Sequence, residues 1–286
     1  MPLSFRFGTV GTPTSTPKSP GGSVGAIIHS RELGLGAFEI GWVHSVRVSE
    51  QTCAKIKAAA EEHDVLLSVH APYFINLNAD DEEWPKSRKR LMDAAHYGWL
   101  AGATEIIFHP GSYFKKAPKE VLPTVIQRLE GCAAELREAG KAVTLRPETM
   151  GKAAMLGSLE DTLAMAKAVK GVEPCLDFAH LHSRPGDGTM NTYDEWARVL
   201  ELYGKKLGKR ALKRLSCHLS GIEYTPKGER KHLQMPEADF NLDALLKALH
   251  DFECGGRILA ESPVMEDDAL LYQERWMAIS GERENL

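Results

Sequence analysis

Residues 175–182, CLDFAHLH, join a short apolar run to an acid and two histidines. The run is typical of a buried strand, and the proline- and glycine-rich residues 184–188 that follow predict a loop. Successive side chains of a strand point to opposite faces, so Asp177 and His180 converge only if the strand stops between them. Taken alone, the pattern is explained equally well by a helix-capping acid beside surface histidines. What strengthens it is that one apolar run after another ends in the same way.

Eight strand-like runs alternate with eight segments of helical spacing along the whole chain. The predicted strands are 4–10, 37–40, 65–70, 105–109, 142–145, 172–177, 212–218 and 258–261. The predicted helices are 23–33, 49–63, 84–101, 118–140, 158–169, 193–203, 242–252 and 266–279. Such alternation requires a parallel sheet with helices outside it, and eight units predict a closed (β/α)8 TIM barrel of the α/β class. The alternative is an open doubly wound sheet, but neither a Gly-x-Gly-x-x-Gly turn nor a phosphate loop follows a predicted strand.

Composition favours a protein of the cytoplasm. We see no linker, so residues 1–286 are expected to form a single barrel domain. The 35 basic and 39 acidic residues give a formal net charge of −4, which does not by itself announce a nucleic-acid binder. None of the five cysteines form a Cys-x-x-Cys pair, which disfavours a disulfide framework. The first residues lack the apolar core of a signal peptide, and no apolar run approaches the roughly 20 residues of a membrane span.

Six consecutive predicted strands carry an imidazole or a carboxylate at their C-terminal ends. These side chains are His70, His109, Glu148, Asp177 with His180, His218 and Glu261. In a parallel barrel these ends share the rim where active sites lie. Carboxylates gathered there would repel one another and take up protons unless divalent cations were bound, and imidazole with carboxylate suits zinc, manganese or iron. Four histidines and three carboxylates exceed what one tetrahedral ion uses, so we expect more than one metal. Histidines on predicted helices or loops are expected to be structural: His63, His96, His182 and His250.

These residues resemble a known family when they are taken as an ordered set. The set comprises His70 with Tyr73, His109-Pro110-Gly111, Glu148, Asp177-x-x-His180, His218-Leu219 and Glu261-Ser262-Pro263. It is similar to the endonuclease IV family of apurinic/apyrimidinic endonucleases, which are xylose-isomerase-like TIM barrels, over nearly the whole chain. The resemblance implies a DNA repair hydrolase that uses zinc ions to cut the DNA backbone 5′ to an abasic site. Its partner would be double-stranded DNA, with no membrane involved, and we expect a monomer.

The resemblance also implies which residues bind which ion. The first zinc would be held by His70, His109 and Glu148. The second would be held by Glu148, Asp177, His218 and Glu261, with Glu148 bridging. His180 would serve a third, with two ligands from the loop after the seventh strand. The family has Asp-x-His in that loop, whereas here Glu229 stands three residues before His232. Either the longer glutamate absorbs the shift or the third ion is absent, so two or three zinc ions are expected, with Mn2+ possible.

In the mechanism that the resemblance implies, Glu148, Asp177 and Glu261 are the catalytic carboxylates of a metal-assisted phosphodiester hydrolysis. Tyr73 is expected to stack on an exposed base or sugar, and Arg230 and Lys231 to contact the substrate beside the metals.

Two other functions stay open. A sugar isomerase or epimerase on the same barrel would hold one Mn2+ with Glu148, Asp177, His218 and Glu261, and would have no use for the remaining histidines. A non-catalytic protein could instead bind damaged DNA or store metal. Metal stoichiometry discriminates the first alternative from the nuclease, and an oligonucleotide with one abasic site discriminates the second.

Overall fold

The computed structural model describes residues 4–283, and strands and helices alternate along them. The strands are β1 (Phe5–Val10), β2 (Ala37–Gly41), β3 (Leu66–His70), β4 (Glu105–Phe108), β5 (Thr144–Pro147), β6 (Cys175–Asp177), β7 (Leu215–Leu219), β8 (Gly221–Thr225), β9 (Gly228–Leu233) and β10 (Gly256–Ala260). The helices are α1 (Gly22–Glu32), α2 (Glu50–Glu62), α3 (Trp84–Leu100), α4 (Pro118–Glu138), α5 (Leu159–Ala168), α6 (Phe178–Ser183), α7 (Tyr193–Leu207), α8 (Leu242–Asp251) and α9 (Glu266–Ser280). The predicted eight units of strand and helix are all present.

Eight of the strands form one parallel sheet in the order β5-β4-β3-β2-β1-β10-β7-β6. The first strand pairs with the last, since β1 and β10 run side by side from Phe5–Gly256 to Thr9–Ala260. Parallel bridges from Leu145 to Val172 and from Glu148 to Cys175 join the two ends of the sheet. The sheet therefore closes, and the predicted TIM barrel is confirmed.

Side-chain caps fix where several helices begin. Ser49 accepts a hydrogen bond from the backbone N–H of Thr52, and Ser158 accepts one from that of Asp161, each at 3.1 Å. These bonds satisfy backbone donors that have no partner within the helix. The Asp161 carboxylate also accepts from the backbone N–H of Ser158, which completes the capping box expected from the sequence.

Two features of the seventh unit differ from the predicted pattern. Residues 212–214, predicted as strand, lie in a 3-10 turn, Lys209–Arg214, and β7 begins only at Leu215. After β7 the chain forms the antiparallel hairpin β8–β9, which the periodicity does not predict and which lies outside the barrel sheet. This hairpin stands at the C-terminal rim.

Buried charges occupy the N-terminal end of the barrel. Arg146 pairs with Glu105 and donates to the backbone carbonyls of Pro174 and Arg214, at 2.9 and 3.0 Å. Arg257 lies beside the same glutamate, with its Nε 3.3 Å from Glu105 Oε2. A buried guanidinium needs such partners, because an unpaired buried charge costs several kcal/mol. Arg146 is therefore part of the barrel floor, although it stands two residues before Glu148.

The apolar core packs the helices against the barrel. One cluster unites the early units through side chains such as Phe38, Val69 and Phe108, and another unites the late units around Phe5, Trp196 and Trp276. All five cysteines are buried and unpaired. Among residues 4–283, no helix is both long and apolar enough to cross a membrane.

Candidate metal centre

The six strand-end groups meet at one rim because the barrel strands are parallel. His70 and Asp177 are the last residues of β3 and β6, and His218 lies one residue before the end of β7. His109, Glu148 and Glu261 each follow immediately after a strand. Their donor atoms form several groups in which every ligand atom lies within 4.8 Å of the others.

The first group contains His70, His109 and Glu148. The Nε2 atoms of both histidines lie 3.3 Å from Oε2 of Glu148. The Nδ1 of His70 is 3.0 Å from the carbonyl oxygen of Ala71, so it carries the proton and donates there. In the neutral imidazole, the lone pair of His70 Nε2 is therefore directed at the space that it shares with Glu148.

The second group contains Glu148, Asp177, His218 and Glu261. His218 Nδ1 lies 3.3 Å from Oε2 of Glu261 and 3.5 Å from Oε1 of Glu148. Glu148 thus turns one oxygen to each group. Asp177 reaches the group because β6 stops there: its Oδ1 accepts from the backbone N–H of His180 at 2.6 Å and caps α6, which leaves Oδ2 for the centre.

The third group contains His180, Glu229 and His232. His180 Nε2 lies 3.6 Å from Glu229 Oε2, and its Nδ1 donates to the carbonyl of Thr149 at 2.9 Å. His232 Nδ1 lies 2.7 Å from the hydroxyl of Ser220. Both imidazoles therefore have one nitrogen tied to the protein and the other free to bind an ion.

A β-bulge aligns the third group. Glu229 pairs with Tyr224 and Lys231 pairs with Glu223, so Arg230 is an extra residue in β9. In a regular strand, residues three apart point to opposite faces, whereas a bulge adds one residue without turning the rest of the strand over. The bulge therefore puts Glu229 and His232 on the same side. Of the two options that the sequence left, the structure shows the shifted carboxylate beside both histidines.

Buried polar atoms without partners support metal binding. Four such atoms that face the second group make no hydrogen bond within the protein: Glu148 Oε1, Asp177 Oδ2, Glu261 Oε2 and His218 Nδ1. Buried carboxylate and imidazole atoms are otherwise almost always hydrogen-bonded, because leaving them unpaired costs about 1–3 kcal/mol each. A mixed nitrogen and oxygen donor set of this kind suits zinc or manganese. The residues present therefore fit divalent cations.

The electrostatics of the ion-free groups show how strongly these side chains interact. Burial opposes the charged form of His70, but the carboxylate of Glu148 raises the pKa of this histidine to about 9. Burial acts against ionisation of Glu148 as well, yet His109 and its neighbours hold the pKa of Glu148 well below its usual range. Burial raises the pKa of Asp177. Protons and cations thus compete for the same atoms.

Sequence reasoning missed one member of the centre, Glu39 in β2. Its side chain is fully buried, and its Oε1 lies 3.1 Å from Nε2 of His218. Glu39, His70 and His218 form a further group of possible ligands. The available signal was a glutamate inside the apolar run Ala37–Ile40, where a charge is not expected without a partner.

The three predicted substrate residues are exposed, and Tyr73 is the one seen in contact with the centre. The Tyr73 ring is 43% exposed and stacks on His109, with ring centroids 5.0 Å apart. Arg230 and Lys231 both pair with Glu223, and the strand register puts Glu223 and Lys231 on the face of the hairpin opposite to Glu229 and His232. Their predicted contact with substrate beside the metals therefore stays a prediction. His182, expected to be structural, is buried with its Nε2 3.0 Å from Asp239 Oδ1.

Comparison with known proteins gives both characterised and uncharacterised relatives. An uncharacterized protein of Methanocaldococcus jannaschii is 37% identical over 270 residues, which are 94% of this chain and 96% of that protein. Endonuclease 4 of Thermus thermophilus is 31% identical over 172 residues, which are 57% of this chain and 60% of that enzyme. The resemblance to endonuclease IV noted in the sequence is thereby confirmed.

Solved structures of differently named proteins share the fold of this chain. An endonuclease IV structure from Thermus thermophilus aligns with a TM-score of 0.68 at 22% identity, covering 92% of this chain and 95% of that one. A D-tagatose 3-epimerase-like protein aligns with a TM-score of 0.70 at 17% identity, covering 97% and 98%. The family model described as xylose isomerase-like TIM barrel matches residues 28–278, and this chain belongs to that family.

Proposed function

We propose that this chain is a metal-dependent DNA repair endonuclease, a single barrel domain that hydrolyses the phosphodiester 5′ to abasic sites in double-stranded DNA. The observation that carries the proposal is the presence of three ligand groups at one rim, two of which share Glu148. Sequence similarity to the Thermus thermophilus endonuclease supports the same substrate. We propose zinc as the native ion, with the chain acting as a monomer in the cytoplasm.

The chain's own residues have distinct parts in this proposal. Bound divalent ions would polarise the phosphoryl oxygens and supply a nucleophile at neutral pH. Glu148 spaces the first two groups, because its two oxygens face different partners. Asp177 and Glu261 complete the second group. The exposed face of Tyr73 is available to stack on a base or sugar next to the abasic position, at an expected gain of about 1–3 kcal/mol.

A sugar isomerase or epimerase is the second candidate, favoured by the group Glu148, Asp177, His218 and Glu261, which would hold a single ion. It leaves His70, His109, His180 and His232 without a role as ligands. These four imidazoles lie within the first and third groups, and therefore support the nuclease over the epimerase.

The test is cleavage of a duplex oligonucleotide that contains one abasic site. Wild-type protein should nick it on the 5′ side, and Glu148→Gln and Asp177→Asn should each lower the rate by more than about 100-fold, beyond the loss typical of changes outside the ligand shell. The control is Glu253→Gln, which makes the same change at an exposed site paired with Lys213. An uncut oligonucleotide, or a Glu148→Gln protein that cuts at the wild-type rate, would refute the proposal.

A further inference from the structure

We propose that Glu39 is a positioning residue of the metal centre, which holds His218 with its proton on Nε2 and the lone pair of Nδ1 directed at the second group. The inference rests on the proposed function only through its metal ions. It does not depend on the nature of the substrate, because the second group would bind an ion in either candidate enzyme.

The contacts of Glu39 leave one carboxylate oxygen for His218. Ser68 donates its hydroxyl to Oε2 of Glu39 at 2.6 Å, within the barrel interior. The other oxygen, Oε1, makes no full hydrogen bond and lies 3.1 Å from His218 Nε2, which makes none either. Buried polar atoms are almost always hydrogen-bonded, and each of these two atoms is the other's partner at hydrogen-bonding distance.

Three of the other histidines of the centre show the same arrangement with the roles of the two ring nitrogens exchanged. His70, His180 and His232 each use Nδ1 on a carbonyl or hydroxyl oxygen and turn Nε2 to the ligand groups. In His218 the nitrogen that faces Glu148 and Glu261 is Nδ1, so the outward nitrogen, meaning the one turned away from the second group, is Nε2. The group that meets this outward nitrogen is a carboxylate, which makes a stronger hydrogen bond than a neutral oxygen does.

A hydrogen bond from the outward nitrogen fixes a metal-binding imidazole in two ways. It selects the tautomer that leaves the other nitrogen unprotonated, and it increases the basicity of that nitrogen. Cys175 is another polar neighbour of His218, but a thiol is only a weak hydrogen-bonding group. The carboxylate of Glu39, with Oε1 3.1 Å from His218 Nε2, is the stronger partner and can impose the tautomer.

Glu39 could alternatively bind an ion itself, since its donor atoms lie within 4.8 Å of those of His70 and His218. The two roles are exclusive for a neutral His218, because Nε2 cannot carry a proton and bind an ion together. Substitutions separate them. Glutamine keeps an oxygen that accepts from Nε2–H and removes the charge, whereas alanine removes both.

The experiment titrates the metal-free protein with zinc in a zinc buffer, without DNA, and compares Glu39→Ala and Glu39→Gln with the wild type. Glu39→Ala should weaken one zinc site by about 10–100-fold while the number of ions at saturation is unchanged. Glu39→Gln should lose less zinc affinity than Glu39→Ala does. The control is Glu173→Gln, a carboxylate on the barrel floor that pairs with Arg214, and it should bind zinc as the wild type does.

A second measurement on the wild type keeps the test independent of how the variants fold. In histidine-labelled protein, nitrogen NMR should show His218 protonated at Nε2 and free of a proton at Nδ1 in the zinc-loaded state. The opposite tautomer, an unchanged zinc affinity in Glu39→Ala, or loss of a whole ion from both variants at saturating zinc would overturn the inference. Zinc binding as expected in a protein that does not nick abasic DNA would instead refute the proposed endonuclease and leave the role of Glu39 intact.

Discussion

Gly151 packs against Glu229, the carboxylate of the third group. A Cβ atom added there would lie 2.7 Å from Cβ and 2.9 Å from Oε2 of Glu229, and 2.9 Å from the hydroxyl of Ser183. Contacts that close displace a side chain. We expect Gly151→Ala to move Glu229 away from His180. The affinity of the third group for its ion should fall by at least about 10-fold, with the other ions retained. Metal content at graded free zinc measures this.

The matched control is Gly131→Ala in α4, where an added Cβ meets nothing within 4 Å. Alanine is the better helix former by about 1 kcal/mol, so this variant should bind metal normally and be slightly more stable. Third-ion affinity equal to that of the wild type in Gly151→Ala would contradict the expected displacement. The sequence places this glycine shortly after Glu148, but its contact with residue 229 depends on how a distant hairpin docks, which local pattern does not encode.

At the scale of elements, the sequence was informative wherever the signal is local. Strand and helix periodicity, caps such as Ser158 and the order of eight units are local. They predict the barrel and the candidate ligands at its strand ends. The bulge of the hairpin β8–β9 has no such local signal, because the extra residue Arg230 is defined only by how β9 pairs with β8. The role of Glu39 likewise depends on a contact across the barrel with β7. Both were therefore invisible to periodicity.

The bulge in β9 leads to a prediction about deleting its extra residue, Arg230. Deleting Arg230 leaves the pairs Tyr224–Glu229 and Glu223–Lys231 in a regular ladder, so Glu229 and His232 remain on one side. We expect the deletion to retain the third ion, at a cost of about 0–1 kcal/mol for the lost surface pair with Glu223. Glu229→Ala provides the reference for a lost site. A deletion variant whose zinc titration matches that of Glu229→Ala would show that the bulge does not align the group.

For the whole molecule, the ions are expected to act as cross-links of the barrel. The candidate ligands of the second group alone come from positions 148 to 261, so one bound ion would join strands from the middle and the end of the chain. An ion at 100 times its dissociation constant stabilises the native state by about 2.7 kcal/mol. Removal of the ions leaves the rim with buried carboxylates and imidazoles that are free to bind protons. The ion-free rim should therefore respond to pH differently from the ion-bound rim.

The pH dependence of stability should therefore differ between the ion-free and the zinc-loaded protein. In the ion-free state, Glu148 raises the pKa of His70 from 6.5 to about 9, against the effect of burial. The stabilisation from this histidine is fully present below about pH 6.5 and is lost as the pH rises through about 9. In the loaded state, protons compete with zinc, so stabilisation by the ions grows over the same range. Calorimetric unfolding with and without a chelator should show melting temperatures that diverge from about pH 6.5 to about pH 9, with a smaller divergence in His70→Ala. Parallel curves would show that the rim histidines do not bind the ions.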